Sequence, residues 1–235
     1  MNETSPVGRA PAVVVFDVNE TLSDLTPLRA SFESVGLAAE SVEPWFAGLL
    51  RDGFALTCVG VNPAFADLAR ESLRIRLLGS GVTPEPGSEN ADDAVERVMS
   101  GFTSLPVHPD VVEGVRALQS AGIRLVTLTN GSTSVAEGLL ERAGLADAFE
   151  RLMSVESAGA WKPHPSSYAY ALGECGVSAG EAILVAVHPW DIDGAARAGL
   201  RTGWLNRSGG SYPSYFRRPE LEVGSLVELA HAWEG

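Results

Sequence analysis

The sequence predicts an α/β protein built on a Rossmann-like, doubly wound parallel sheet, with an all-helical cap subdomain inserted after the first strand. Three observations carry this prediction. The run Val13–Phe16 is entirely apolar and mostly β-branched, as in a strand buried on both faces of a parallel sheet. From residue 106 onward, strand and helix patterns alternate. Between these regions, successive helical patterns without a strand signal make a connection too long for an ordinary βα loop.

The predicted cap contains four segments in which apolar residues recur at helical spacing. These segments are residues 23–36, 44–56, 63–78 and 90–102. Residues 79–90 are rich in Gly, Pro and Ser and are expected to form a loop. We therefore predict a helical cap over residues 25–105 and an α/β core formed by residues 1–24 and 106–235.

The core is predicted from alternating strand and helix periodicities. The further strands are expected at residues 123–129, 152–155, 182–187 and 201–205. The helices are expected at residues 110–121, 132–143, 166–175, 191–198 and 225–233. Because these strands are expected to run parallel, with right-handed crossovers, their carboxyl ends share one edge of the sheet, where ligands of such sheets bind.

Composition narrows the possible partners. With 17 basic and 30 acidic residues, the chain has a formal charge of -13, which disfavours nucleic acid and anionic membranes as partners. No apolar run reaches the length of a membrane-spanning helix, and we expect a soluble, cytoplasmic protein. Cys58 and Cys175 are far apart in sequence and are expected to be buried thiols without a chemical role.

Two of the predicted strands end in polar residues suited to a reactive site. Asp17 follows the first strand and would lie at the floor of the ligand crevice, although an Asp here can also cap a turn or helix. Thr129 and Asn130, with Gly131 and Ser132, follow the next long strand and precede a helix. A hydroxyl, an amide and helix N-terminal N–H groups can seat an anion, and the alternative is an ordinary N-cap.

A single lysine stands out among the basic residues. Lys162 is the only lysine in the chain, and Pro163 presents it from a stiff, extended segment. An ammonium near Asp17 would keep that carboxylate ionised, as a nucleophile requires. Asp191, after the strand at 182–187, is expected to reach Lys162 or a water, whereas Asp193 is expected only to favour its helix N-terminus.

Together these segments resemble the haloacid dehalogenase superfamily across nearly the whole chain, and most closely its type II 2-haloacid dehalogenase branch. The resemblance lies in the Asp17 strand end with Thr21-Leu22, the helical insertion and Ser154-Val155 leading to Lys162-Pro163. It continues in Tyr168, in Pro189-Trp190-Asp191 and in the segment 204–209. A set of motifs in this order is specific for the superfamily and less specific for the reaction.

The resemblance implies a mechanism without a cofactor or metal. Asp17 would attack the halogen-bearing carbon to form an ester, which water hydrolyses at the Asp17 carboxyl carbon. Thr21 would bind the nucleophile, while Lys162, Tyr168 and Asp191 would set charges and position water. The residues implied in substrate binding are Val18, Asn19, Phe46, Phe65, Thr129, Asn130, His188 and Trp190. The resemblance also implies a homodimer.

Several positions depart from the superfamily's patterns. Phosphatases of the superfamily need an acid where this chain has Asn19 and a magnesium-binding pair where it has Val187, so a phosphatase is disfavoured. Relative to the dehalogenases, the chain also differs at Asn19, Ala186 and His188. Phe46 replaces the arginine that grips the leaving halide, and His188 or Arg51 is the candidate replacement cation.

We therefore predict a metal-independent hydrolase that acts through an aspartyl ester on a small anionic 2-substituted carboxylic acid, with (S)-2-haloacid dehalogenation as the first hypothesis. One alternative is hydrolysis of another bond, such as the strained C–N ring of azetidine-2-carboxylate or a phosphate ester. The other is a carboxylate-binding protein without turnover.

Overall fold

A computed structural model of the protein describes residues 9–79 and 90–233. Its centre is a six-stranded, entirely parallel sheet with the strand order β3-β2-β1-β4-β5-β6. The strands are Val13–Phe16 (β1), Arg124–Thr129 (β2), Arg151–Ser154 (β3), Ala182–Ala186 (β4), Arg201–Leu205 (β5) and Leu221–Val223 (β6). The predicted α/β fold class is confirmed. The short edge strand β6 was not predicted, because three residues are too few to show a periodicity.

β1 lies at the middle of the sheet, between β2 and β4. Val13 and Val15 point into one apolar cluster, whereas Val14 and Phe16 point into another on the opposite face of the sheet. No residue of β1 is more than 1% exposed. This two-sided burial explains why the strand has no polar residue until Asp17.

Within the described residues, four α-helices lie between β1 and residue 105. They are Leu28–Glu33 (α1), Val42–Cys58 (α2), Phe65–Gly79 (α3) and Ala91–Thr103 (α4). The predicted loop at 79–90 falls, except for its two end residues, outside the described residues. Where the chain leaves and re-enters the core, Asp24 N–H donates to Pro106 O (2.9 Å) and His108 N–H donates to Leu22 O (2.9 Å). These paired segments support the proposed limits of the cap, 25–105, and of the core, 1–24 with 106–235.

The remaining helices cover both faces of the sheet. They are Val111–Ser120 (α5), Thr133–Arg142 (α6), Val155–Ala158 (α7), Pro165–Cys175 (α8), Pro189–Arg197 (α9) and Leu226–His231 (α10). The third predicted strand ends one residue early, because Ser154 caps α7 by accepting from Glu156 N–H. Cys175 is buried as expected, but Cys58 is exposed at the end of α2, so that part of the thiol prediction is wrong.

None of the helices in the described ranges combines the length and apolarity needed to cross a bilayer.

The cap contacts the core through Trp161, whose side chain is fully buried. Its indole N–H donates to Pro63 O (3.0 Å), and its main-chain N–H donates to Thr57 Oγ1 (3.3 Å). A methyl group on Gly53, in α2, would overlap the Trp161 ring. The glycine therefore sets how closely α2 approaches the core.

Gly53→Ala is expected to lower the free energy of unfolding by about 1 to 3 kcal/mol, because the added methyl group overpacks this contact. Gly48→Ala in the same helix is the matched control, since its methyl group would meet only Arg51, at 4.0 Å. The control is expected to be neutral or stabilising by up to about 1 kcal/mol. Urea unfolding of both variants checks the prediction, which is wrong if the two are equally stable.

Candidate active site

Asp17 lies directly after β1, with its side chain almost completely buried. Its main-chain N–H donates to Val185 O of β4 (3.0 Å), which continues the sheet by one residue. One carboxylate oxygen, Oδ1, accepts from Lys162 Nζ (2.9 Å), and Oδ2 accepts from Thr21 Oγ1 (2.7 Å). The Thr21 hydroxyl oxygen in turn accepts from Val187 N–H (3.1 Å). Both oxygens of Asp17 are therefore oriented by donors from different segments of the chain.

Lys162 is 0% exposed and joins two carboxylates, one directly after β1 and the other at the start of α9. Its ammonium donates to Asp17 Oδ1 (2.9 Å) and to Asp191 Oδ2 (2.7 Å). The other oxygen of Asp191 accepts from the Tyr168 hydroxyl (2.6 Å). The sequence-predicted residues Asp17, Thr21, Lys162, Tyr168 and Asp191 thus form one hydrogen-bonded network.

Burial and charge set opposite preferences in the two carboxylates. Burial opposes ionisation of Asp17, but Lys162, His188 and Thr21 outweigh it and hold the pKa of Asp17 well below its ordinary value. Burial, reinforced by the nearby Asp17, raises the pKa of Asp191 despite its bonds to Lys162 and Tyr168. Burial also opposes the Lys162 ammonium, yet the two carboxylates raise its pKa. Asp17 is therefore the carboxylate held ionised.

Asn130 positions the lysine and does not line the cleft. Its Oδ1 accepts from Lys162 N–H (2.9 Å), and its Nδ2 donates to Lys162 O (3.4 Å). These two bonds use one acceptor site and one N–H of the amide, and the expectation that Asn130 also contacts substrate stays a prediction. Ser132 caps α6 through Val135 N–H, so the N-cap interpretation of this loop holds for Ser132.

His188 gives Asp17 a second cationic neighbour. Its Nδ1 lies 3.2 Å from Asp17 Oδ2, and its Nε2 lies 2.7 Å from Glu20 Oε2. Burial disfavours the charged ring, but the hydrogen bonds and charges of Asp17 and Glu20 raise the pKa of His188 to about 9. The imidazole is therefore an imidazolium at neutral pH.

Glu20 is the site residue that the sequence analysis missed. Its backbone φ of 63° lies in the left-handed region, which few residues other than glycine adopt. The available signal was the acid three positions beyond Asp17, together with a histidine after β4 that needed partners for two ring nitrogens. The conformation that brings the two together is not readable from sequence periodicity.

A cleft of about 360 Å³ opens between the cap and the core, beside Val18 and Asn19, the two residues that follow Asp17. Its core wall includes Val18, Asn19, Thr129, Gly131 and Ser132, and its cap wall includes Phe65, Arg70, Glu96, Met99 and Phe102. Predicted binding residues from three segments therefore meet at this cleft. Arg70 is paired with Glu96 (2.6 Å) at the cleft wall.

The structure corrects the predicted place of Phe46. Its ring is buried in the cap among Trp45, Phe65 and Phe102, at centroid distances of 6.2, 6.2 and 6.4 Å, and it is not part of the cleft wall. Phe65 does line the cleft, stacked on Trp161 at 5.8 Å. The Phe46 position therefore supplies packing to the cap.

Two other residues also lie away from the cleft. Trp190 packs between His188 and Phe54, with ring centroids 4.9 Å from each, and does not line the cleft. Arg51 is exposed on the outer surface of α2, where it pairs with Asp52 (2.8 Å). Arg51 is therefore not the replacement cation, which leaves His188 of the two candidates.

The position between the two carboxylates of the site holds a positively charged nitrogen instead of an oxygen ligand for a metal ion. The ammonium of Lys162 fills the space between Asp17 and Asp191. Within residues 9–79 and 90–233, no group of three or more His, Cys, Asp or Glu residues is arranged to hold a metal ion.

Comparison with known proteins adds family evidence to this geometry. A model of haloacid dehalogenase-like hydrolases matches residues 11–199. (S)-2-haloacid dehalogenase 4A of Burkholderia cepacia is 28% identical over 92% of this chain and 91% of that enzyme. Haloacetate dehalogenase H-2 of Moraxella sp. (strain B) is 36% identical, over 57% of this chain and 60% of that enzyme. A crystal structure of a dehalogenase with intermediate complex has a TM-score of 0.85 at 26% identity and covers 94% of this chain and 96% of that one.

The imidazole of His188 is expected to titrate near pH 9 in the folded protein, measured by NMR on histidine-labelled protein and assigned by the signal lost in His188→Asn. Because this pKa lies above the unfolded value, the stabilisation from His188 is fully present below about pH 6.5 and is lost as the pH rises through 9. In urea unfolding, the wild type should have a higher free energy of unfolding than His188→Asn below about pH 6.5, and this difference should disappear as the pH rises through 9. A titration midpoint at or below the ordinary histidine value contradicts the proposed pairing.

Proposed function

The chain belongs to the haloacid dehalogenase-like hydrolase family, and we propose that it hydrolyses small 2-substituted carboxylic acids through an ester on Asp17, with (S)-2-haloacids as substrates. The observation that carries the proposal is the environment of Asp17, a buried carboxylate held ionised by Lys162 and oriented by Thr21. The similar proteins named above are dehalogenases, which supports halide as the leaving group.

In the first step, one Asp17 oxygen attacks C2 of the substrate, and the halide departs with the electron pair of the broken bond. The negative charge of Asp17 passes to the halide as the ester forms. The substrate carboxylate is proposed to lie in the cleft, where Asn19, Thr129 and the N-terminus of α6 offer hydrogen-bond donors. These uncharged donors suit an anion in a protein whose net charge is -13.

In the second step, water attacks Cγ of the Asp17 ester, and the bond from Cγ to the ester oxygen on C2 breaks, so this former Asp17 oxygen leaves with the product and the water oxygen stays in Asp17. Because C2 itself is displaced only once, the 2-hydroxy acid should have inverted configuration. Lys162, Tyr168 and Asp191 are proposed to hold this region of the site in place during hydrolysis. No step of the scheme requires a metal ion.

One observation favours a second candidate reaction, the opening of a strained C–N ring such as azetidine-2-carboxylate. An amine leaving group needs a proton, and the His188 imidazolium lies against the nucleophile, with Nδ1 3.2 Å from Asp17 Oδ2. The cap position that would otherwise carry a cation is the buried Phe46. A phosphatase is not favoured, because Asn19 cannot shuttle a proton.

Asp17→Asn is expected to reduce halide release from (S)-2-haloacids by at least about 10³-fold, because an amide is not a competent nucleophile. Asp147→Asn is the matched control, since that exposed carboxylate pairs with Arg116 on the surface. Turnover of the wild type in ¹⁸O-water should also label the Asp17 carboxylate, detected by peptide mass spectrometry.

Full activity of Asp17→Asn, or product formation without label in Asp17, contradicts the proposed nucleophile. If Asp17 is labelled during turnover of azetidine-2-carboxylate but is not labelled with any haloacid, the second candidate reaction is favoured. Ligand-dependent thermal stabilisation without label would indicate the binding protein without turnover.

We further propose that the protein is a homodimer that acts in the cytoplasm. Ile75 and Leu78 are 62% and 70% exposed on α3, beside a groove of about 580 Å³ between α2 and α3. Both cysteines are free thiols, which agrees with a reducing compartment. A second copy of the chain is the proposed occupant of this face.

Sedimentation equilibrium is expected to give a dimer for the wild type and a monomer for the Ile75→Glu/Leu78→Glu variant, because two carboxylates would have to be buried in the interface. A monomeric wild type contradicts the dimer, and a dimeric variant places the interface elsewhere. Val112→Glu, at an exposed position of α5, is the control and should sediment with the same dimer mass as the wild type.

A further inference from the structure

Glu20, His188 and Asp17 form a chain of hydrogen bonds that the reaction scheme leaves unused. Glu20 Oε2 lies 2.7 Å from Nε2 of the imidazole, and Asp17 Oδ2 lies 3.2 Å from Nδ1. A carboxylate on one ring nitrogen, with the reacting group on the other, is the arrangement in which histidine serves as an oriented acid–base group.

We propose that His188 is the acid–base group of the ester chemistry and that Glu20 is the residue that positions it. The proposal rests on the proposed function, since it assigns a role within the Asp17 ester cycle. It adds a catalytic residue and a positioning residue that act on the hydrolytic half of that cycle.

The proton transfers balance over the two half-reactions. As Asp17 bonds to C2 and the leaving group departs, Nδ1 of the imidazolium releases its proton, to an amine nitrogen if that is the leaving group and to solvent if a halide leaves. Water then adds to Cγ of the ester and gives one proton to Nδ1. The tetrahedral intermediate expels the alkoxide, which takes the remaining hydroxyl proton. This step yields the 2-hydroxy acid and restores the ionised Asp17 and the imidazolium.

Ester formation itself changes His188 from an acid to a base. The charged or titratable groups that contact the ring are Asp17 and Glu20, both from the segment directly after β1, and Trp190 of α9 packs on the face of the ring. Lys162 lies on the far side of Asp17, at Oδ1. When Asp17 becomes a neutral ester, Glu20 is the one anion that still contacts the imidazolium, whereas the positive charge of Lys162 remains nearby. The imidazolium therefore releases its proton more easily.

Asp191 is less suited to accept the proton from water. Both of its oxygens already accept hydrogen bonds, from Lys162 (2.7 Å) and from Tyr168 (2.6 Å), and its side chain is completely buried. The side chain of His188 is 13% exposed, and its Nδ1 loses its acceptor charge when the ester forms. Of the two groups, His188 has the nitrogen that becomes available at the required moment.

The loop after β1 holds Glu20 in an unusual conformation that aims it at the ring. A φ of 63° at a residue with a side chain persists only where the surroundings enforce it. Here Glu20 N–H donates to Ser23 Oγ (3.3 Å), and Glu20 O lies 3.0 Å from His108 Nε2. The Glu20 side chain is 33% exposed and lines a second cleft of about 270 Å³, through which protons can exchange with water.

The test is a single-turnover measurement with (S)-2-chloropropionate and with azetidine-2-carboxylate, in which the Asp17 ester is quantified by mass spectrometry. With the haloacid, His188→Asn should form the ester within about tenfold of the wild-type rate, because halide departure needs no proton and Lys162 remains. Its ester hydrolysis should fall by about 10²-fold or more, so the ester accumulates. With the amine leaving group, ester formation should fall as well.

Glu20→Gln should slow ester hydrolysis by about tenfold and lower the midpoint of its pH profile, because the amide keeps the contact but not the charge. A merely structural role for Glu20 would not move that midpoint. Glu43→Gln is the matched control, since Glu43 lines the same second cleft but pairs with Arg29. Circular dichroism of each variant verifies folding.

The wild type supplies an independent readout that needs no variant. The decay of its ester should accelerate with pH and level off at a midpoint below the resting value of about 9. Wild-type rates of ester hydrolysis in His188→Asn, or a pH-independent decay, overturn this proposal while labelled Asp17 still supports the ester mechanism. Absence of any Asp17 ester in the wild type overturns the proposed function, and this proposal with it.

Discussion

The contact on which the rest of the site depends is the buried ammonium of Lys162 between Asp17 and Asp191. Taking the Lys162 ammonium and the ionised Asp17 out of water is costly, and it is tolerated here because the ammonium has close partners on both sides, with N–O distances of 2.9 Å to Asp17 and 2.7 Å to Asp191. The same ammonium joins the end of β1 to the start of α9, and Asn130 ties its main chain to the end of β2. One side chain thus couples three loops of the sheet edge and keeps the nucleophile ionised.

Around this centre, the cations that contact Asp17 come from the core, and the cap wall of the cleft carries both apolar side chains and the Arg70–Glu96 pair. Lys162 and His188 both contact Asp17, whereas the cap contributes Phe65 to the cleft and keeps Phe46 within its own interior. A charged site in the core does not depend on cap closure for its ionisation state. The cap forms one wall of the cleft, and its side chains help to set the shape of that cleft.

The arrangement also explains how an acidic protein can handle an anionic substrate. The long-range field of a chain with a charge of -13 does not attract a carboxylate, so the proposed binding of a carboxylate substrate relies on short-range donors. The hydroxyl of Thr129, the amide of Asn19 and the N-terminus of α6 lie together at the cleft. Two cations beside Asp17 offset the repulsion between two carboxylates as substrate and nucleophile approach.

By itself, the sequence determined five of the six strands, the order of the helices and the residues at the strand ends. Periodicity and apolar runs are local, and parallel topology brings every strand's carboxyl end to one edge, so Asp17, Thr129, Lys162 and Asp191 could be placed together. Only the tertiary structure decided which side chains touch. Glu20 and His188 are separated by 168 residues, and their contact depends on a left-handed backbone conformation that leaves no periodic signal. Phe46 likewise packs inside the cap, because its neighbours there are aromatic rings contributed by three helices.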